Sequence, residues 1–266
     1  RKGPSRMAQT AGLLTFSSLL FWLLEYRKGL SLRDTSIDLI KKIISYDTTS
    51  RNSNLELIDF IRDYLKDLGI ESLLVHDDAG TKANLYATLG PADRPGILLS
   101  GHTDVVPIDG QDWHTDPFNV VEKDAKLFGR GTCDMKSFVA ICLAYAPKFL
   151  ERGLKIPIHF AFSHDEEVGC VGVRTLIAKL ANEIQPKPMM CIVGEPTLMQ
   201  VIIGHKGKMS YQCHVRGLEA HSSLAPQGVN AVEYAAELIA YLKGMARRIQ
   251  QEGPFDDLYD ICLLYT

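Results

Sequence analysis

Apolar residues at 37, 39, 40, 43 and 44 recur at the spacing of a half-buried helix over Thr35–Ser45. Asn54–Leu68 repeats the pattern, with Leu57, Ile58, Ile61, Tyr64, Leu65 and Leu68 on one face and Gly69 as the stop signal. Further helices are expected over 138–150, 173–183 and 230–248. Short apolar runs between them predict strands at 71–75, 83–89, 97–100 and 156–162 and one ending at Glu195. A hairpin is expected at 120–128 and an alternating strand at 208–215. The interleaving of the two periods predicts an α/β architecture. Its character changes beyond Gly204, where a domain boundary is placed near 204–208, leaving a catalytic domain over 31–204 and a second domain over 205–266.

Three apolar runs end on side chains able to bind metal. Gly96–Ser100 leads into His102 and Asp104, Ile156–Phe162 into Asp165, Glu166 and Glu167, and Met189–Val193 into Glu195. In open α/β sheets ligands bind beyond the carboxyl ends of the strands, so three buried strands ending this way predict one crevice. Adjacent carboxylates in a dry site require a shared cation or proton. An isolated acidic triplet would read as a solvated turn, and the repetition at separate strand ends overturns that reading. Asp134 lies in Gly129–Ser137, a glycine-rich bend opening into a helix, where it fits either a helix N-cap or a ligand. The bend lacks phosphate-loop spacing.

His102, Asp134, Glu167 and Glu195 together supply one imidazole and three carboxylates, a set suited to zinc or cobalt. Two ions roughly 3.5–4 Å apart need a bridging carboxylate, for which Asp134 is the candidate. Asp104, two residues past His102, is placed to accept the free ring N–H and fix its tautomer. Of Glu166 and Glu167, one would bind metal while the other handles the proton of an attacking water and returns it to a leaving amine, which describes amide hydrolysis.

Composition narrows the partners. The chain has 266 residues, 46% hydrophobic, with a net charge of -3, which gives no reason to expect nucleic acid or an anionic membrane surface. A small-molecule site is the default. Six cysteines without a C-x-x-C pair suit reduced thiols in a cytoplasmic protein, and Cys133 reads as a buried, inert thiol. Residues 1–30 carry Arg1, Lys2 and Arg6 before an apolar run, Ala11–Leu24. That run is too short to span a bilayer and lacks a following cleavage pattern; a signal peptide, an extra amphipathic helix and sequence upstream of the true start stay open.

Gly101-His102-Thr-Asp104-Val-Val-Pro, Gly131-Thr-Cys-Asp134-Met-Lys136, Asp165-Glu166-Glu167-Val-Gly-Cys170 and Gly194-Glu195-Pro-Thr197 resemble the M20 family of dinuclear zinc aminoacylases and peptidases. Within it they are most similar to the acetylornithine deacetylases, over about 31–259. The resemblance implies a zinc-peptidase-like domain with a mixed sheet flanked by helices and an α+β, ferredoxin-like lid that also dimerises. It implies removal of the acetyl group from N-acetylornithine in arginine biosynthesis, with succinyl-diaminopimelate desuccinylase or dipeptidase chemistry as alternatives. It assigns His102 and Glu195 to one zinc, Glu167 to the other, the bridge to Asp134 and the general base to Glu166. His221, in Gly217-Leu-Glu-Ala-His-Ser-Ser, resembles the lid histidine that polarises the scissile carbonyl, although alone it reads as a solvent-exposed loop residue.

The chain departs from the family pattern at its end. The resemblance implies a later histidine for the second zinc and further lid strands, which these 266 residues do not reach, and Ile261–Thr266 does not continue the expected strand. The sequence therefore reads as a truncated frame with a few foreign terminal residues, and an inactive fragment stands as a further alternative.

Overall fold

The computed structural model describes residues 31–207, 209, 211–253 and 255. The readings of residues 1–30 and 261–266 lie outside them. The chain divides into two units, 1–198 and 199–266.

The first unit begins with α1 (Leu32–Ile44). It starts earlier than the apolar spacing predicts because the Ser31 hydroxyl accepts the Asp34 N–H, satisfying one of the free donors of the first turn. Next come α2 (Leu55–Asp67), β1 (Ser72–His76), β2 (Ala83–Leu89) and β3 (Ile97–His102). A hairpin of β4 (Val121–Lys123) and β5 (Lys126–Phe128) turns at Asp124 and Ala125, both with positive φ. Then follow α3 (Lys136–Glu151), β6 (Ile158–Ser163), α4 (Val173–Glu183) and β7 (Met190–Val193).

Five strands form one mixed sheet in the order β1-β2-β6-β3-β7. The first three pair antiparallel, whereas β3 lies parallel to both β6 and β7. Alternation of side chains gives the sheet two faces. Leu85, Ala87, Leu89, Phe160 and Phe162 pack with Val139 and Leu143 of α3 and with α1 and α2 in the main core. On the other face Tyr86 and Ala161 meet Leu176, with Leu180 of α4 packed against them. Because β3 and β6 are parallel and in register through His102 and Ser163, their carboxyl ends coincide. The residues that follow both strands therefore emerge at one place.

Two expectations are corrected. The strand leading to Glu195 is not buried: β7 is an edge among the described residues, and all four of its residues are exposed. The alternating stretch 208–215 carries no strand at 209 or 211–215, since alternation alone does not make a strand without a hydrogen-bonded partner.

The second unit contains an isolated bridge between Leu218 and Val229, a short 3-10 helix (Ser222–Gln227) and α5 (Ala231–Glu252). The Asn230 side chain caps α5 by accepting the Val232 N–H. No helix among the described residues is long and apolar enough to cross a membrane.

Candidate metal centre

His102 is the last residue of β3 and is 2% exposed. Its Nδ1 donates to the backbone carbonyl of Asp104 at 2.9 Å, with the Asp104 carboxylate farther off at 3.4 Å. The expected hold of Asp104 on the ring is through its carboxylate, whereas it is the main-chain carbonyl that lies nearer. Nε2 consequently faces the acidic groups, with Asp134 Oδ1 at 3.0 Å and Glu166 Oε2 and Glu195 Oε1 each at 3.7 Å.

The Asp104 carboxylate has a wider task than fixing a tautomer. Buried at the base of the site, it accepts the Ser50 hydroxyl at 2.7 Å and the backbone N–H groups of Glu166 at 3.1 Å and Glu167 at 3.2 Å. It therefore caps the turn after β6, so that both glutamates leave the strand direction and address one region, as the alternation of a continued strand would forbid.

Asp134 is not the helix cap. α3 begins at Lys136 with Met135 at the cap position, and the Asp134 side chain is half exposed and turned to His102. That removes the local explanation for an aspartate at this bend. Glu195 follows Gly194, whose N–H extends the β3–β7 ladder to the Ser100 carbonyl at 3.0 Å.

Two groups of potential ligand atoms result, each with all its atoms within 4.8 Å of one another: His102 with Asp134 and Glu195, and His102 with Glu166 and Glu167. They share the imidazole, whereas the residue expected to bridge is Asp134. Burial pushes the Glu167 carboxyl up, helped by Asp134 and Glu166, to about 7, and burial raises Glu195 in the same direction. Burial alone would lower His102, but Asp104, Glu195 and Glu166 outweigh it and push the ring up to about 9. Carboxylates forced to share protons beside a cationic ring are what a divalent cation would relieve, and the donor set of imidazole and carboxylates fits one.

His221 lies in the second unit. It is exposed and caps the 3-10 helix, its Nδ1 accepting the Ser223 N–H at 3.3 Å. Ser50 and Lys82 also shape the centre and have no signal in the sequence, whereas Asp165 stands among the carboxylates that follow β6.

The profile of peptidase family M20/M25/M40 matches residues 98–257. Curated relatives include the acetylornithine deacetylase of Proteus mirabilis (strain HI4320), 37% identical over 81% of this chain and 56% of the relative. That of Shigella sonnei (strain Ss046) is 38% identical over 77% and 52%. The chain spans about half the length of the curated relatives it matches. Among solved structures, human carnosine dipeptidase 1 aligns with a TM-score of 0.53 at 26% identity, covering 60% of this chain and 38% of that one. The M20 family metallo-carboxypeptidase Sso-CP2 of Sulfolobus solfataricus shares the fold, with a TM-score of 0.53 at 21% identity over 60% and 37%. With all four motifs lying within the matched span, the chain belongs to peptidase family M20/M25/M40.

Proposed function

We propose that the protein is a divalent-metal-dependent amide hydrolase that removes the acetyl group from N-acetylornithine, serving arginine biosynthesis in the cytoplasm. The convergence of His102, Asp134, Glu166, Glu167 and Glu195 beyond the ends of β3, β6 and β7 carries the chemistry. The acetylornithine deacetylases at 35–38% identity support the substrate.

His102, Asp134, Glu167 and Glu195 would hold two zinc ions, or cobalt, with Asp134 between them. Bound there, the ions would polarise the scissile carbonyl and make an attacking water acidic. His102 presents Nε2 because the Asp104 carbonyl holds Nδ1–H. Glu166, within 3.7 Å of that ring through Oε2, accepts the proton of the attacking water and delivers it to the departing amine nitrogen. By the family resemblance His221 would help polarise the scissile carbonyl, and a homodimer is the assembly that goes with that role.

The likeness to carnosine dipeptidase 1 favours a second reading, dipeptide hydrolysis. A panel of N-acetylornithine, N-succinyl-diaminopimelate and simple dipeptides, assayed on the full-length protein with and without zinc, separates them. Cation-dependent turnover fastest on N-acetylornithine is expected; equal or faster turnover of either other class refutes the substrate.

A further inference from the structure

Lys82 stands just before β2 and has no place in the proposed reaction, yet it touches two segments that shape the centre. Its Nζ lies 2.5 Å from Asp165 Oδ1 and also donates to the Ser50 carbonyl. Both side chains of the ion pair are only 15% exposed, so solvent and salt screen it poorly. Asp165 is the residue immediately before Glu166 and holds a left-handed φ of 56°. Its second oxygen meets His164 Nδ1 at 3.1 Å, and its carbonyl accepts the Val171 N–H at 3.1 Å. Ser50, on the other side, supplies the hydroxyl that orients the Asp104 carboxylate. Asn84, two residues past Lys82, grips the same turn at both ends, accepting the His164 N–H and donating to the Gly172 carbonyl.

We infer that Lys82 is a positioning residue: its ammonium ties the Asp165 turn to the Ser50 loop and so fixes Glu166 and Glu167 against Asp104. A single cation joins the segment that carries the two glutamates to the segment that orients the group accepting their N–H groups. A non-glycine residue in the left-handed region costs energy that the Asp165 ion pair offsets. The inference rests on the hydrolase reading for its rate effect and is independent of it for its structural effect.

The test compares Lys82→Met, Lys82→Arg and the double variant Lys82→Met/Asp165→Asn, which leaves no orphan charge, in the full-length protein. Loss of a partner that orients site groups lowers activity by about 10- to 100-fold. A fall of that size in kcat on N-acetylornithine, with little change in KM, is expected for Lys82→Met and for the double variant, and Lys82→Arg restores most of the rate. Amide hydrogen exchange should accelerate over residues 163–171 and not in α3. Wild-type kcat with unchanged exchange overturns the inference, as does acceleration spread through α3, which marks a general stabiliser. If the wild-type protein hydrolyses no amide, the functional reading fails, and the exchange pattern still decides the role of Lys82.

Discussion

Asp104 Oδ1 accepts the backbone N–H of Glu166 at 3.1 Å, joining the loop after β3 to the turn after β6. The same buried carboxylate takes the Glu167 N–H and the Ser50 hydroxyl, so three donors depend on it. Replacing it by alanine leaves the part-buried N–H groups of Glu166 and Glu167 without their acceptor, at about 1 kcal/mol each. Asp104→Ala should therefore lower the denaturation midpoint and weaken cation affinity by about 10- to 100-fold. Denaturant unfolding and zinc titration check both.

Glu166→Ala should reduce turnover by about 10²–10⁴-fold while leaving cation content unchanged, since a general base moves a proton and binds no ion. Metal analysis of the purified variant beside its kinetics is the check. Loss of an ion would make Glu166 a ligand, as its place beside His102 and Glu167 also allows.

Gly194 has no room for a side chain. A Cβ there would lie 2.1 Å from Cγ of Phe138, a ring of α3 packed on the main core. Gly194→Ala must push the strand end carrying Glu195 or the helix, at a cost of about 1–3 kcal/mol. Reduced cation affinity together with a lower melting temperature is expected. Unchanged affinity would show that Glu195 is not held by this contact.

Removal of divalent cations should make stability strongly dependent on pH. Glu167, raised to about 7, binds its proton more tightly folded than unfolded, so stability falls as pH rises from about 4.5 to 7 and then levels. His102, raised to about 9, favours the folded state below its unfolded value near 6.5, and that contribution is lost as pH rises through 9. The cation-free protein should thus lose stability continuously from about pH 4.5 to 9, and zinc should flatten the profile above neutrality. Cation uptake near pH 7 should release protons, measurable by calorimetry in buffers of different ionisation enthalpy.

Burial pushes the Cys142 thiol up to about 12. Iodoacetamide at pH 8 should leave it unmodified until the chain unfolds, while Cys133, exposed where the sequence reads as a buried inert thiol, is alkylated along with the exposed Cys170, Cys191 and Cys213. Peptide mass spectrometry reads the pattern, and native labelling of Cys142 would contradict its burial.

The sequence by itself determined the periodic elements and the residues at their ends. Helical spacing marked α1 and α2, and three apolar runs ending on His102, Glu167 and Glu195 marked the crevice, because both signals are local and survive without coordinates. What Asp134 does was undecidable from its neighbours, since a helix entry accepts an aspartate as a cap as readily as an ion does. Only the tertiary structure turned it to His102. The sheet order β6-β3-β7 likewise decided which strand ends meet and left β7 at an edge, and it brought Lys82, Ser50 and Asp165 together across long stretches of chain. Such contacts depend on strand pairing and chain crossing, for which periodicity carries no record. A partly buried lysine and its aspartate therefore look, in the text of the chain, like any two charged loop residues.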